Sequence, residues 1–146
     1  MKSKTVDKLE KIQVTFLRCL LAVGTGCPTQ LLYSETGTLL MEFRILRKKL
    51  MFLHHVHNLP KGALANEVLA QQAANNLPGI FNECNSFLCK FELNDLSLYS
   101  KTQFKRVINA NTKKLNKEKL LIQMSKSTLK LLNVLLALTM DQWKRS

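Results

Sequence analysis

Acidic side chains are scarce in this chain: 10 Asp and Glu stand against 22 Lys and Arg in 146 residues. The ten are scattered singly, and the close pairs are Asp7/Glu10 and Glu92/Asp95. Two-metal phosphoryl chemistry needs clustered carboxylates, so this pattern argues against it. A Gly-rich phosphate loop, a Gly-x-Ser-x-Gly elbow and a His-Glu-x-x-His helix are all missing. Long apolar runs are missing too. The most apolar segment, Leu129–Met140, is interrupted by Lys130 and Asn133, whereas a membrane-spanning helix needs about 20 residues. Aromatics make up only 7% of the chain and most are Phe. Tyr99 and Trp143 are the available stacking platforms, a thin basis for single-strand recognition. Alternating strand patterns of useful length and internal repeats are not evident.

Four cysteines, Cys19, Cys27, Cys84 and Cys89, are not spaced as a disulfide framework. The N-terminus MKSKTVDKLEK is charged and lacks the apolar run of a signal peptide. Reduced thiols and an intracellular setting, nuclear or cytoplasmic, are the expectation.

What is present is apolar content of 46% and helical periodicity. The chain is long enough for one domain with a real core. In the first segment Val6, Leu9, Ile12, Phe16, Leu20 and Val23 recur at three- and four-residue steps, which predicts a helix from about Val6 to Val23 with that stripe inward. Gly24 and Gly26 are expected to end it. Pro28 opens a short helix to about Ser34, and Gly37 closes it. A long helix from Leu39 to about Asn58 carries the seam Phe43, Leu46, Leu50, Leu53 and His57. After Leu59-Pro60-Lys61-Gly62 a helix to Asn76 points Leu64, Val68 and Leu69 inward. Ile80–Phe91 is a further short helix, with Phe81, Cys84, Phe87, Leu88 and Phe91 near helical spacing.

Glu92–Tyr99 reads as a connector. Ser100 and Gln103 form a capping-box pattern that starts a helix at Lys101. Phe104, Val107 and Ile108 are its inward residues. Asn109, Asn111 and Asn116 weaken its middle, so a break is expected near 111–116, with helical segments resuming over 117–124 and 127–143. The fold expectation is an all-α, small irregular bundle of about six to seven helices. Residues 1–95 form a connector-like region and 96–146 a basic region, read together as one structural unit.

The basic residues are unevenly placed. Residues 1–95 carry 11 bases and 8 acids, a net of +3, while 96–146 carry 11 bases and 2 acids, a net of +9. A half so charged repels itself unless a polyanion is near. Arg44, Arg47 and Lys48 cluster on the long helix, and Lys101, Lys105, Arg106, Lys113 and Lys114 line the C-terminal half. These eight are the candidate contacts to an RNA or DNA backbone, with little base selectivity. The competing reading is a solvated helix face. His54, His55 and His57, with Cys84 and Cys89, are a tempting metal set. The five-residue spacing of the cysteines does not converge on a helix, and His57 lies on the apolar seam, so a structural imidazole is preferred. Neither a metal nor a cofactor is expected.

A resemblance accompanies these residues. Leu9-Glu10-Lys11-Ile12-Gln13, Phe16-Leu17-Arg18, Pro28 with Leu31-Leu32, Glu35-Thr36-Gly37, and Lys49-Leu50 through Leu53-His54-His55 occur in an order that resembles the region C-terminal to the reverse transcriptase domain of LINE-type, non-LTR retrotransposon polyproteins. Ser100-Lys101 with Phe104-Lys105 continues it more weakly. The match spans about residues 5–125 and rests on order and spacing rather than on one specific motif. It implies a helical connector that contacts template RNA or target DNA. The family's Tyr-x-Asp-Asp active site, its Cys-Cys-His-Cys knuckle and its endonuclease are not in this sequence, so the resemblance implies a detached, non-catalytic fragment. Two alternatives stand beside it. One is a helical interaction module in which the Leu129–Met140 stripe and the Phe43–His57 seam bind another helix or a second copy of the chain; the other is a relic without a selected role.

Overall fold

The computed structural model describes residues 4–143, with side chains described as far as Thr128 and at Lys130. Six α-helices follow one another: α1 Lys4–Leu20, α2 Thr29–Thr36, α3 Met41–His57, α4 Leu64–Ala74, α5 Ile80–Lys90 and α6 Lys101–Trp143. A 3₁₀ turn over Leu96–Leu98 precedes α6. There is no strand among the described residues, so the fold is all-α. The chain divides into two compact units, one from Leu39 to Lys114, the other made of the chain up to Thr38 and the chain from Leu115.

In the unit containing the N-terminal part of the chain, α1 packs on α2. Its buried residues are Gln13, Val14 and Leu17 on α1 and Leu32 and Tyr33 on α2. The expected apolar stripe is turned the other way: Ile12, Phe16 and Leu20 are about two-thirds exposed and Leu9 is also exposed. The face turned inward meets a polar partner. Tyr33 offers a hydroxyl, which accepts from Gln13 Nε2 at 3.2 Å and donates to the Glu10 carboxylate. The face of α1 that carries Gln13 and Glu10 thereby pairs the polar tip of Tyr33 inside the hairpin.

α1 also ends earlier than the glycines suggest. Ala22 adopts a left-handed φ of 50°; its N–H donates to Cys19 O at 3.2 Å, and the Val23 N–H donates to Arg18 O at 3.1 Å. That pair of bonds is a Schellman cap. Glu92 does the same after α5, where Leu93 N donates to Leu88 O at 2.8 Å and Glu92 N to Cys89 O at 3.3 Å. Gly37, at φ 61°, closes α2 as its sequence position predicts.

In the 39–114 unit, α3 packs on α4, α5 and the 3₁₀ turn, and α4 packs on α5. Leu39, Leu40, Leu50, Leu53, Val56, Leu69, Cys84, Phe87, Leu88, Leu93, Leu96, Phe104 and Ile108 are its buried apolar residues. Two expectations fail here. Leu64 and Val68 are exposed, leaving Leu69 as the buried residue of α4. His57 is exposed, and the buried imidazole is His54. On α3 the predicted Leu50 and Leu53 are buried, and beyond them burial falls on His54 and Val56 rather than on His57. His54 stacks on Phe104 with ring centroids 4.5 Å apart.

The start of α6 is as its sequence predicts. Ser100 N donates to Gln103 Oε1 at 3.1 Å, and Gln103 N donates to Ser100 Oγ at 3.3 Å, a reciprocal capping box. The expected break near 111–116 does not occur, and α6 is continuous from Lys101 to Trp143. Buried positions Phe104, Ile108, Thr112, Asn116 and Leu120 recur every four residues through the weak region. The Thr112 hydroxyl donates back to Ile108 O at 2.7 Å, so its burial leaves no orphaned donor. Burial outweighs a propensity deficit of a few tenths of a kcal/mol per Asn. The backbone of the Leu129–Met140 stripe belongs to α6; its side chains except Lys130, and that of Trp143, lie outside the described residues.

Candidate nucleic-acid interface

All eight candidate cations belong to the 39–114 unit, three on α3 and five on the first third of α6. The α6 portion that belongs to this unit, Lys101–Lys114, contains five bases and no acid. Lys101, Lys105, Arg106, Lys113 and Lys114 are all exposed, as are Arg44 and Lys48; Arg47 is half-buried.

The four-residue repeat that buries Phe104, Ile108 and Thr112 also organises the cations. Lys101, Lys105, Asn109 and Lys113 form the ridge that follows each buried residue by one, and Arg106, Ala110 and Lys114 form the next ridge. Residues four apart are neighbours on a helix surface, and each step advances about 6 Å along the axis. The uncharged member of the first ridge is Asn109. Its Oδ1 accepts a hydrogen bond from Arg47 Nη2. A guanidinium from α3 therefore sits where the ridge would otherwise lack a charge. Cations then follow one another from Lys101 to Lys113 over about 18 Å of helix.

Two features hold α3 against α6 at that point. The first is the Arg47–Asn109 bond. The second is His54, whose Nε2 lies 2.9 Å from the Tyr99 carbonyl oxygen while its ring stacks on Phe104. A carbonyl only accepts, so this contact is a hydrogen bond in the tautomer that carries its proton on Nε2. Asn58 Nδ2 donates to the His54 carbonyl at 2.8 Å and closes the end of α3. Neighbouring Lys49 is diverted into an ion pair with Glu83 of α5. Arg44 has interactions within the protein as well. The exposed lysines of α6 are thus the more available group.

The sequence gives the identity of these cations but not their ridge. Arg47 bridging to Asn109 is a tertiary contact across 62 residues. The asparagine, read in the sequence as a weak helix residue, is a ligand for a guanidinium. Tyr99 is half-buried and lies 6.2 Å, centroid to centroid, from Phe104, so it belongs to the packing around His54.

The remaining reactive groups are dispersed. Cys19 and Cys89 are exposed, Cys27 is half-buried and Cys84 is buried, all as free thiols. Burial pushes the Cys84 thiol up to about 11, with Lys49 lowering it in part and Glu83 adding to the rise. Such a thiol is a small hydrophobe at neutral pH rather than a nucleophile. Among the described residues no group of three or more His, Cys, Asp or Glu is placed to hold a metal ion. No helix among them is long and apolar enough to cross a membrane. No family model, no curated protein and no solved structure matches this chain.

Proposed function

We propose that this chain is a non-catalytic helical module that binds RNA or DNA through the phosphate backbone with low sequence specificity. The observation that carries the reading is the acid-free α6 segment Lys101–Lys114, with Arg47 supplying a cation at Asn109. Exposed cations regularly spaced along a rigid helix favour counterion release from a polyanion; they read backbone charge rather than base identity. The order of short motifs from Leu9 to His55 supports descent from the region C-terminal to the reverse transcriptase domain of a non-LTR retrotransposon polyprotein.

The test is fluorescence anisotropy with single- and double-stranded RNA and DNA at about 50 and about 200 mM salt. Each phosphate neutralised steepens the log–log salt slope by about 0.7 for single strands and about 0.9 for duplex. Lys105→Ala/Lys113→Ala should lower the slope by about two such increments. Lys8→Ala/Lys11→Ala on α1 should leave it nearly unchanged. Absent binding at low salt, salt-indifferent binding, or equal loss in the α1 pair each rejects the proposal.

A further inference from the structure

The outward face of α1 carries an apolar stripe that the phosphate-contacting reading does not use. Leu9 is 37% exposed, and Ile12, Phe16 and Leu20 are 67%, 63% and 62% exposed. They follow one another at three- and four-residue steps along about 16 Å of helix. Single exposed apolar residues are ordinary, but four in one row mark an interaction surface.

Two observations select what covers it. The first is the charge along its edge. Lys8 lies four residues before Ile12 and is its neighbour on the helix, and Lys4 and Lys11 stand beside Lys8 on the same flank. All three are exposed. Neither acid of α1 is three or four residues from any member of the stripe. Asp7, nine residues before Phe16, is on the opposite side of the helix, and Glu10 is half-buried and accepts from the Tyr33 hydroxyl. The edge of the stripe is therefore cationic. The second observation is the mounting of the helix. Gln13, Val14 and Leu17 fix α1 against α2, so the stripe is a ridge that is approached from one side and cannot be encircled.

We infer that α1 lies in the surface of an anionic phospholipid bilayer, with Ile12, Phe16 and Leu20 at the acyl boundary and Lys4, Lys8 and Lys11 at the headgroup phosphates. A helix with an apolar face and a lysine flank binds in the plane of the interface, its apolar side sunk by about 5–10 Å. Lysine stems run along the apolar boundary while their ammonium groups stay with the phosphates. A bilayer supplies apolar cover and negative charge from the one open side. The stripe of a second copy brings the same cationic flank with no acid beside it. Nucleic acid offers Ile12 and Leu20 no apolar cover. These residues are apart from the α6 cations, so the inference does not rest on the nucleic-acid reading.

Co-sedimentation of the full chain with vesicles of phosphatidylcholine, alone and mixed with phosphatidylglycerol, tests this. The anionic vesicles should bind at least roughly tenfold more tightly than the neutral ones, since each lysine at such a surface contributes roughly fivefold. Phe16→Ser should weaken that binding by roughly tenfold, as one apolar side chain is lost from the acyl boundary, with circular dichroism unchanged. Ile12→Ser, at the most exposed position of the stripe, should weaken it by roughly fivefold. Lys8→Ala/Lys11→Ala should weaken it by at least roughly tenfold while leaving the nucleic-acid salt slope unchanged, so the two surfaces fail separately. Anionic-vesicle binding that ignores both Phe16→Ser and Ile12→Ser is plain charge attraction and overturns the inference. Equal binding to neutral vesicles overturns it as well. A Leu/Glu helical peptide that binds through Phe16, where anionic vesicles do not bind, assigns the stripe to an acidic protein and overturns it. So does a dimer in light scattering that Phe16→Ser abolishes, which assigns the stripe to a second copy.

Discussion

The α1–α2 hairpin and the 39–114 unit both bury apolar side chains, but the hairpin also buries a polar set and leaves an apolar stripe outside. In the hairpin, Gln13 is buried and Glu10 half-buried against Tyr33, while Ile12, Phe16 and Leu20 stand in solvent. In the 39–114 unit most of the aliphatic and aromatic residues of α3, α5 and the start of α6 are inside, and the lysines of α6 are outside. Both segments are amphipathic in sequence, yet α1 leaves its predicted stripe uncovered while α3 buries Leu50 and Leu53 of its own. Periodicity says that a face wants cover; it does not say which neighbour supplies it. The buried face of α1 carries Gln13 and Glu10, which pair with the Tyr33 hydroxyl, so this packing leaves no unpaired polar tip inside the hairpin.

The largest expected effect separates the two regions. Phe104 is fully buried beneath His54, so Phe104→Ala should destabilise the protein by about 3–5 kcal/mol in urea unfolding. Phe16→Ser on α1 removes a ring of the same size from a position 63% exposed, and its cost should stay within about 0.5 kcal/mol. Comparable losses from the two variants would break the contrast and mean that the α1 stripe is buried in solution. Next comes Tyr33→Phe. It deletes the hydroxyl that takes the Gln13 N–H and donates to Glu10, at a cost of about 1–2 kcal/mol. An unchanged urea midpoint would show that the polar contact does not set the face of α1.

Legibility in the sequence follows the same division. The all-α class, the capping box at Ser100 and the inward residues Phe104 and Ile108 were readable, because each depends on neighbours within a few positions. The face of α1 was not, since its contacts are made with α2, Gln13 meeting Tyr33 20 residues further on. The continuity of α6 was not, because Thr112 satisfies its own hydroxyl inside the helix and burial then outweighs the propensity of Asn111 and Asn116. Of the candidate site, the cations and their exposure were readable on α6. Arg47 reaching Asn109 was hidden, since an asparagine in a helix signals weakness before it signals a guanidinium ligand.

Helix ends sharpen the contrast at a smaller scale. α2 is closed by Gly37, which takes a left-handed φ at no steric cost. α1 is closed by Ala22 at φ 50°, where a Cβ is strained. Ala22→Gly should therefore stabilise the hairpin by about 0.5–1 kcal/mol, measured as a raised urea midpoint with unchanged slope. No gain, or a loss, would mean that the left-handed cap at Ala22 is not formed in solution.

The smallest effect concerns Asp95, the N-cap of the 3₁₀ turn in the 39–114 unit. Its carboxylate accepts from Ser97 N at 3.1 Å and from the Ser97 hydroxyl, and these bonds hold its pKa below the usual 3.8. The folded value is therefore lower than the unfolded one, so this contribution is present above about pH 4 and is lost as pH falls through the depressed folded value. Asp95→Asn keeps a capping oxygen that does not titrate. The difference in urea midpoint between the two proteins should accordingly narrow between pH 7 and pH 3. Because the carboxylate is exposed, that narrowing should be slight and should weaken further in high salt. The α1–α2 side offers a control: Pro28 caps α2 with no side-chain bond, so Asp95→Asn should leave amide exchange over Thr29–Thr36 unchanged. A midpoint difference that is constant with pH would show that the Ser97 bonds do not depend on the charge of Asp95.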